Sequence, residues 1–390
     1  MGPNAAAGQT RKKLSALFAK ANTTDERKFT SHFIQLTWSY HVISYLAAMI
    51  LVSIAVASAV GFIGWAYQAL LKPPPLKTCG SPNGPPVTSP RVKLSDGRHL
   101  AYRESGVPKD EAKYKIIVIH GFNSSKDLSL PILQELIDEL RIYLLFFDRA
   151  GYGESDPYPS RSVKSEAFDI QELADKLQIG SKFYLIGLSM GAYPVWSCLK
   201  YIPHRLSGAA LVAPFVNYWW SCFPVPLARE ALGRLPKPDQ WTFWVSHCTP
   251  WLVYWWMTQK WFPSLSITAG SMAIFTDKDI EILKTLSETP TIGEEKIAQQ
   301  GVHESLHRDL IVGYGKWEFD PLDIVNPFPE NGGSVHIWQG YDDKIVPRKL
   351  NCYISEKLPW IHYHEVPNGG HFIFFDSNHC EAFLRALLVG

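Results

Sequence analysis

An excess of charge of one sign is absent from this sequence: Lys plus Arg number 38 and Asp plus Glu 37, a net charge of +1 over 390 residues. Without a cationic surplus to displace counterions from a phosphate backbone, no nucleic acid is expected as a partner. Cysteine is also scarce. The six (Cys79, Cys198, Cys222, Cys248, Cys352 and Cys380) are far apart and include no C-x-x-C pair, which excludes a disulfide scaffold and leaves the redox compartment open. No internal repeat is visible, so stacked-repeat architectures are excluded. The most informative absence is local: between Phe29 and Leu71 there is no Asp, Glu, Lys or Arg.

That stretch is long enough to span a bilayer, and from Val42 onward it is almost wholly aliphatic residues, Ala, Ser and Gly. Tyr45 and Trp65 stand 20 residues apart, which on a helix is ~30 Å, the hydrocarbon thickness at whose edges such rings concentrate. Trp38, Tyr40 and Tyr67 thicken the two belts. A cleaved signal peptide would have a shorter apolar run nearer the start, and a buried core helix would show a polar face. The expected organisation is a polar and basic segment over 1–40, a single transmembrane helix over 41–71, a linker over 72–90 and a body over 91–390. Orientation and compartment stay open. Arg27 and Lys28 on one flank nearly balance Lys72 and Lys77 on the other, and Arg11, Lys12, Lys13 and Lys20 fit either a cytosolic N-terminus or an organelle-targeting segment. The N-x-S/T triplets at Asn22 and Asn123 do not decide between them. Seven prolines in 72–90 make the linker an expected extended, semi-rigid spacer.

With 46% hydrophobic and 19% charged residues, the body can bury a large core. Arg91 to Glu104 reads as a hairpin around Ser95, Asp96 and Gly97. Short apolar runs at Lys115–His120, Ile142–Asp148, Lys182–Leu188 and Ala209–Ala213 read as strands buried on both faces. Helical spacing separates them over Pro131–Leu140 and Ser165–Leu177. Two further strands, Ser334–Gln339 and Ile361–Val366, precede a terminal helix after Asp376. This alternation implies an α/β fold with a mostly parallel sheet covered by helices on both sides.

One motif carries chemistry: Gly187-Leu188-Ser189-Met190-Gly191, a G-x-S-x-G, of which about 0.1 random matches would occur in a chain this long. It follows an apolar strand and opens the apolar helix Ala192–Leu199, the context in which a strained turn lifts a serine oxygen above a sheet. A serine capping a helix behind a glycine turn is the plainer alternative. A serine nucleophile needs a base, and the base needs a carboxylate to fix its tautomer. Both stand downstream at strand ends: Gly340-Tyr341-Asp342-Asp343, and Asn368-Gly369-Gly370-His371. The order serine, acid, histidine fits this architecture. His364 and His379 are the rivals of His371, and the residues alone do not choose between Asp342 and Asp343.

From Arg91 to Gly390 the chain resembles the α/β-hydrolase superfamily, in its serine-nucleophile, esterase- or lipase-like form. The resemblance is carried by His120-Gly121-Phe122 after a strand, by Asp148 to Asp156 (DRAGYGESD), by the serine turn, by Gly340 to Pro347 and by Gly370-His371. It implies Asp343 as the acid and an oxyanion hole from the backbone amides of Phe122 and Met190. The family's usual proline is Ala150 here, and an H-G-G-G oxyanion form is replaced by His120-Gly121-Phe122-Asn123. A serine at the turn argues against members that attack with aspartate.

Between Phe215 and Gly333 the chain is too long for a loop and is expected to form an inserted helical lid. Eight tryptophans between Trp219 and Trp261 either form its core or line an acyl pocket and meet a membrane. Both readings favour a hydrophobic or lipid-like small-molecule ester as substrate. His303-Glu304-Ser305-Leu306-His307 matches the H-E-x-x-H pattern of zinc peptidases. It has no third ligand at a recognisable spacing and falls inside the insertion, so a helix-surface or lid-packing role is the preferred reading and neither metal nor cofactor is expected. The reading as a whole is a membrane-tethered serine hydrolase using Ser189, His371 and Asp343, with a non-catalytic binding protein on the same fold as the alternative.

Overall fold

The computed structural model describes residues 4–287, 294–329 and 332–390. They fall into two compact units, Met1–Lys72 and Pro73–Gly390. In the first, a helix α1 runs from Asn4 to Ala66 and continues as one wider turn over Tyr67–Leu71. No proline interrupts it until Pro73-Pro74-Pro75, whose missing N–H groups stop the ladder. The helix therefore passes through residue 40, and the expected boundary between a polar segment and a span does not coincide with any break in the backbone. Arg27–Leu71 is long and apolar enough to cross a membrane. Three of its hydroxyls turn inward on the helix itself: Thr37 donates to the Phe33 carbonyl at 2.9 Å, Ser39 to Gln35 at 2.8 Å and Ser53 to Met49 at 2.9 Å. Such back-bonding meets these three hydroxyl protons without water. The side chains of Arg11, Lys20 and Asn22 lie outside the described residues.

The second unit is built on one eight-stranded sheet, in the order β1-β2-β4-β3-β5-β6-β7-β8. The strands are β1 Arg91–Lys93, β2 His99–Gly106, β3 Tyr114–Ile119, β4 Ile142–Phe147, β5 Phe183–Leu188, β6 Leu206–Val212, β7 Val335–Gly340 and β8 Ile361–Val366. The β1–β2 hairpin and the β2–β4 pair are antiparallel and all later pairs parallel. Alternation along each strand divides the core. Ile117 and Ile119 pack with α3 (Val163–Lys176), α4 (Ala192–Tyr201) and α11 (Arg348–Lys357), whereas Ile116 and Val118 pack with α2 (Gln134–Leu140) and α12 (Ser377–Leu388). Period-two burial on both faces is why these strands read as unbroken apolar runs. The expected helix at Ser165 starts earlier, at Val163, because Ser162 caps it and exchanges side-chain bonds with Ser165.

Between β6 and β7 lies the insertion. Its helices are α5 (Val225–Gly233), α6 (Lys237–Cys248), α7 (Val253–Thr258), α8 (Asp277–Ser287), α9 (Glu294–Ile297) and α10 (Arg308–Tyr314). Parts of the expected 215–333 range, 288–293 and 330–331, lie outside the described residues. The proline-rich segment, expected as an extended, semi-rigid spacer, is also hydrogen-bonded to the body. Lys77 N–H donates to the Gln300 carbonyl and Cys79 N–H to Gln300 Oε1 at 2.9 Å, while Thr88 and Ser89 each give Glu154 a backbone and a hydroxyl hydrogen bond. Cys79 is buried. Proline sets the chain extended, and the polar residues between the prolines fasten it to the body.

A buried ion cluster joins the insertion to the sheet. Asp309, on α10, receives both ends of the Arg149 guanidinium at 2.5 Å, Arg161 at 2.8 Å and the Tyr152 hydroxyl at 2.7 Å, with no solvent exposure of its side chain. Burial works against its charge, but Arg149 and Arg161 outweigh that and push the carboxyl down to about 2. A depressed carboxyl stabilises the fold fully above its ordinary value and loses that contribution as pH falls toward the folded one. Asp309→Asn leaves two buried guanidinium groups short of a counter-charge and should cost about 3–5 kcal/mol. Urea unfolding at neutral pH checks this, and the gap between native and variant should narrow as the pH is lowered below 4.

Candidate active site

The serine sits where strand β5 gives way to α4. Ser189 has φ +51°, a conformation that L side chains rarely adopt, and the turn is possible because glycines flank it. A Cβ on Gly191 would lie 2.3 Å from the Ile119 carbonyl, and one on Gly187 would lie 2.6 Å from the Gly191 carbonyl. The turn is therefore pressed between its own helix and the end of β3.

The sequence-predicted partners come together on it. His371 Nε2 stands 2.8 Å from Ser189 Oγ, and His371 Nδ1 stands 2.9 Å from Asp343 Oδ2. The other Asp343 oxygen accepts the Ile345 and Val346 amides at 2.8 and 2.9 Å, and Gln339 donates to Oδ2 at 3.0 Å. Gln339 is itself held by Asn351. Asp342 is exposed and takes no place in the chain. His364 stacks on Trp338 at 4.0 Å and bonds His336, and His379 pairs with Asp376, so neither rival histidine takes the place of His371. Burial opposes charge on the His371 ring, but the Asp343 carboxylate, its hydrogen bond and the nearby Asp279 carboxylate together raise the imidazole above its ordinary value.

Asp279 carries no motif that composition could flag. It lies on α8, in the insertion, and its Oδ1 accepts the Phe372 amide at 2.9 Å, one residue beyond His371. Its Oδ2 closes a cap with Thr276, accepting from the backbone at 3.0 Å and the hydroxyl at 2.8 Å. The only trace in the sequence is the spacing Thr276-x-x-Asp279, which resembles a capping box with an acid at its third position.

The two candidate oxyanion amides follow from what holds the carbonyls before them. No described peptide bond is cis, so each carbonyl points opposite to the N–H of its own peptide unit. The Gly121 carbonyl accepts Arg149 Nη2 at 3.2 Å and lies 2.8 Å from His120 Nδ1. His120 is kept neutral by burial and by Arg149, and its Nε2 accepts the Arg149 amide, so Nδ1 carries the proton. These donors turn the Phe122 N–H away from Arg149. The Ser189 carbonyl likewise accepts the Phe215 amide at 3.1 Å, which turns the Met190 N–H the other way. Phe122 and Met190 line one cavity with Ser189 and His371.

That cavity has a volume of about 510 Å³. Its walls are chiefly apolar, with Phe215, Phe243, Leu265, Ile267, Ile274 and Phe372 among them, and several come from the insertion. Asn123, the asparagine of the second glycosylation triplet, lines it with φ +51°. The H-E-x-x-H residues are elsewhere, on a π turn over His303–His307 before α10. Glu304 is held by Arg308 at 2.5 Å, and burial pushes His303 down to about 4 and His307 to about 3. Each ring keeps a buried Nδ1 without a partner, yet the described residues contain no group of three or more His, Cys, Asp or Glu that could hold a metal. Two histidines and a carboxylate already paired do not fit a zinc peptidase site.

Comparison with known proteins agrees with the topology. The fold is similar to an enol-lactonase from Burkholderia xenovorans (TM-score 0.54, 14% identity, 76% of this chain and 97% of that one). An esterase from Exiguobacterium antarcticum gives TM-score 0.52 at 15% identity over 78% and 100%, and a thermophilic esterase from Thermogutta terrifontis gives 0.50 at 19% over 76% and 97%. At such identities the likeness is one of fold. Among curated sequences, the chain is 33% identical over 116 residues to an uncharacterized 31.7 kDa protein from the traX-finO intergenic region of Escherichia coli, spanning 27% of this chain and 38% of that protein. Residues 116–386 match the model of the alpha/beta hydrolase family, and with that share of the sequence on this sheet order, the chain belongs to the alpha/beta hydrolase family.

Proposed function

We propose that this chain is a serine hydrolase of carboxylic esters or related acyl bonds, with a hydrophobic acyl group as its preferred substrate and α1 as its membrane anchor. The observation that carries the reading is the unbroken hydrogen-bonded chain Ser189 Oγ, His371, Asp343 at the wall of an apolar cavity. Ser189 Oγ attacks the carbonyl carbon as His371 Nε2 takes its proton. Negative charge develops on the carbonyl oxygen, toward the Phe122 and Met190 N–H groups. Collapse of the tetrahedral adduct expels the alcohol, which leaves with the proton from His371. Water, deprotonated by the same nitrogen, then attacks the acyl-serine and restores Ser189.

Covalent labelling with a serine-directed phosphonate tests the nucleophile. Native chain should label and Ser189→Ala should not, and a folded native chain that stays unlabelled refutes the proposal. The base accepts a proton only when neutral, so kcat/KM should rise with pH along a limb placed above the ordinary histidine value of about 6.5. Asp343→Asn should cut kcat by about 10⁴. Asp279→Asn keeps an acceptor for Phe372 and removes the charge, so its limb should move to lower pH with a modest change in rate.

The apolar walls predict a chain-length dependence. At about 0.8 kcal/mol for each buried methylene, kcat/KM should climb roughly fourfold per added CH₂ until the cavity is full. A homologous series of p-nitrophenyl esters measures this, and equal turnover of acetyl and long-chain esters overturns the acyl preference.

A further inference from the structure

One part of the insertion carries large apolar side chains on its outside. Between Lys237 and Phe262, the side chains of Trp241, Trp244, Trp251, Trp261 and Phe262 are exposed, Trp261 at 79%. They lie on consecutive elements, α6, the turn over Pro250–Leu252, α7 and the segment after it, and several of the rings adjoin. Trp241 and Trp244 of α6 have ring centroids 6.1 Å apart, and Trp256 of α7 donates to Thr242 Oγ1 of α6 at 2.7 Å. Trp256 packs on Phe262 at 5.0 Å, and Trp255 meets Trp261 at 5.9 Å. The charged residues of this stretch are Lys237, Asp239 and Lys260, and only the two lysines are exposed. The same elements face the cavity with their other side, through Asp239 and Phe243 of α6 and through Leu265 and Ile267 just after Phe262.

An exposed apolar patch of this kind is an interaction surface. Its chemistry matches a lipid surface better than a protein: indole rings settle at headgroup depth, and flanking lysines reach the phosphates beside them. The covalent chain gives an independent argument. Cys79, buried in the body, follows Leu71 at the end of the apolar helix by eight residues, a contour of at most about 28 Å. Lys77 and Cys79 are bonded to Gln300, three residues before the π turn whose His303 ring lies 5.8 Å from Tyr254 of α7. The anchored end of the tether and the tryptophan surface are thus on adjoining elements of the body.

We infer that the Trp241–Phe262 face of the insertion seats on a bilayer surface, so that the wall of the cavity is presented to amphiphiles resident in the membrane. The inference rests on α1 as the span and Ser189 as the nucleophile, and adds that the substrate is an acyl ester lying in a bilayer rather than one dissolved in water. None of the exposed tryptophans lines the cavity.

The test uses the full chain in vesicles of mixed zwitterionic and anionic phospholipid, with and without bromine on the upper acyl carbons. Trp244→Gln, Trp251→Gln and Trp261→Gln are combined in one variant, which removes three of 14 tryptophans. Native chain should lose more emission to bromine than the variant does, by about a fifth of the total if all three rings sit at the interface. Hydrolysis of a long-chain ester embedded in the vesicle should fall about tenfold in the variant, with a water-soluble short ester turned over at the native rate. Equal quenching of the two overturns the inference, as does cross-linking to a second copy that the variant loses. Release of the chain by alkaline carbonate would instead refute the membrane span, and absence of short-ester turnover in the native chain would refute the nucleophile, so each failure has its own signature.

Discussion

The Arg149 guanidinium is the contact on which the rest of the body depends. It is fully buried, and it reaches in four directions: the His120 carbonyl at 3.2 Å, the Gly121 carbonyl, the Tyr193 hydroxyl at 3.0 Å on the helix behind the serine, and Asp309 on the insertion. A buried cation is tolerated only when its donors are satisfied, and a planar fork with five of them can meet acceptors on three elements at once. The strand end that carries Phe122, the helix that carries the serine turn and the return of the insertion are therefore referenced to one rigid group. The orientation of a backbone amide becomes a property of a side chain far along the sequence.

The insertion is fastened to this arrangement by a second acid as well. Asp309 ties α10 to Arg149 and Arg161, while Asp279 ties the start of α8 to the loop of His371. Leu283, Leu286 and Ile297 between those two attachments line the cavity, and Phe243, Leu265, Ile267 and Ile274 from the elements before Asp279 supply more of the apolar wall. The insertion accordingly does more than cover the sheet, because one of its carboxylates adds to the charge that keeps the His371 imidazole basic.

Much of this was legible in the sequence, for identifiable reasons. Strands buried on both faces appear as unbroken apolar runs, so the sheet could be placed to within a few residues, and glycine around Ser189 marks a turn that no other residue fits. Asp343, His371 and Ser189 follow strands, and strand ends in a parallel sheet converge on one edge. What stayed hidden depends on pairings across long separations. Arg149 and Asp309 are ordinary surface-type residues until 160 positions of chain bring them together. Asp279 reads only as a capping residue, and α11 has too polar a composition to stand out. The proline-rich segment misleads in the opposite direction, since composition reports its stiffness but not the hydrogen bonds that Thr88 and Ser89 make with Glu154.

Those bonds redefine where the body begins. Glu154 takes four hydrogen bonds from Thr88 and Ser89, and Arg91 adds a contact to Asp156 at 3.3 Å. Glu154 and Asp156 belong to the same loop as Arg149, which opens with Asp148 accepting the Glu154 amide at 3.0 Å. A fragment cut at Arg91 would strip the outer layer from the loop that orients the guanidinium, whereas one cut at Pro73 keeps it. The proline-rich segment thus acts as a selvage, a finished edge that keeps the innermost loop of the body from unravelling.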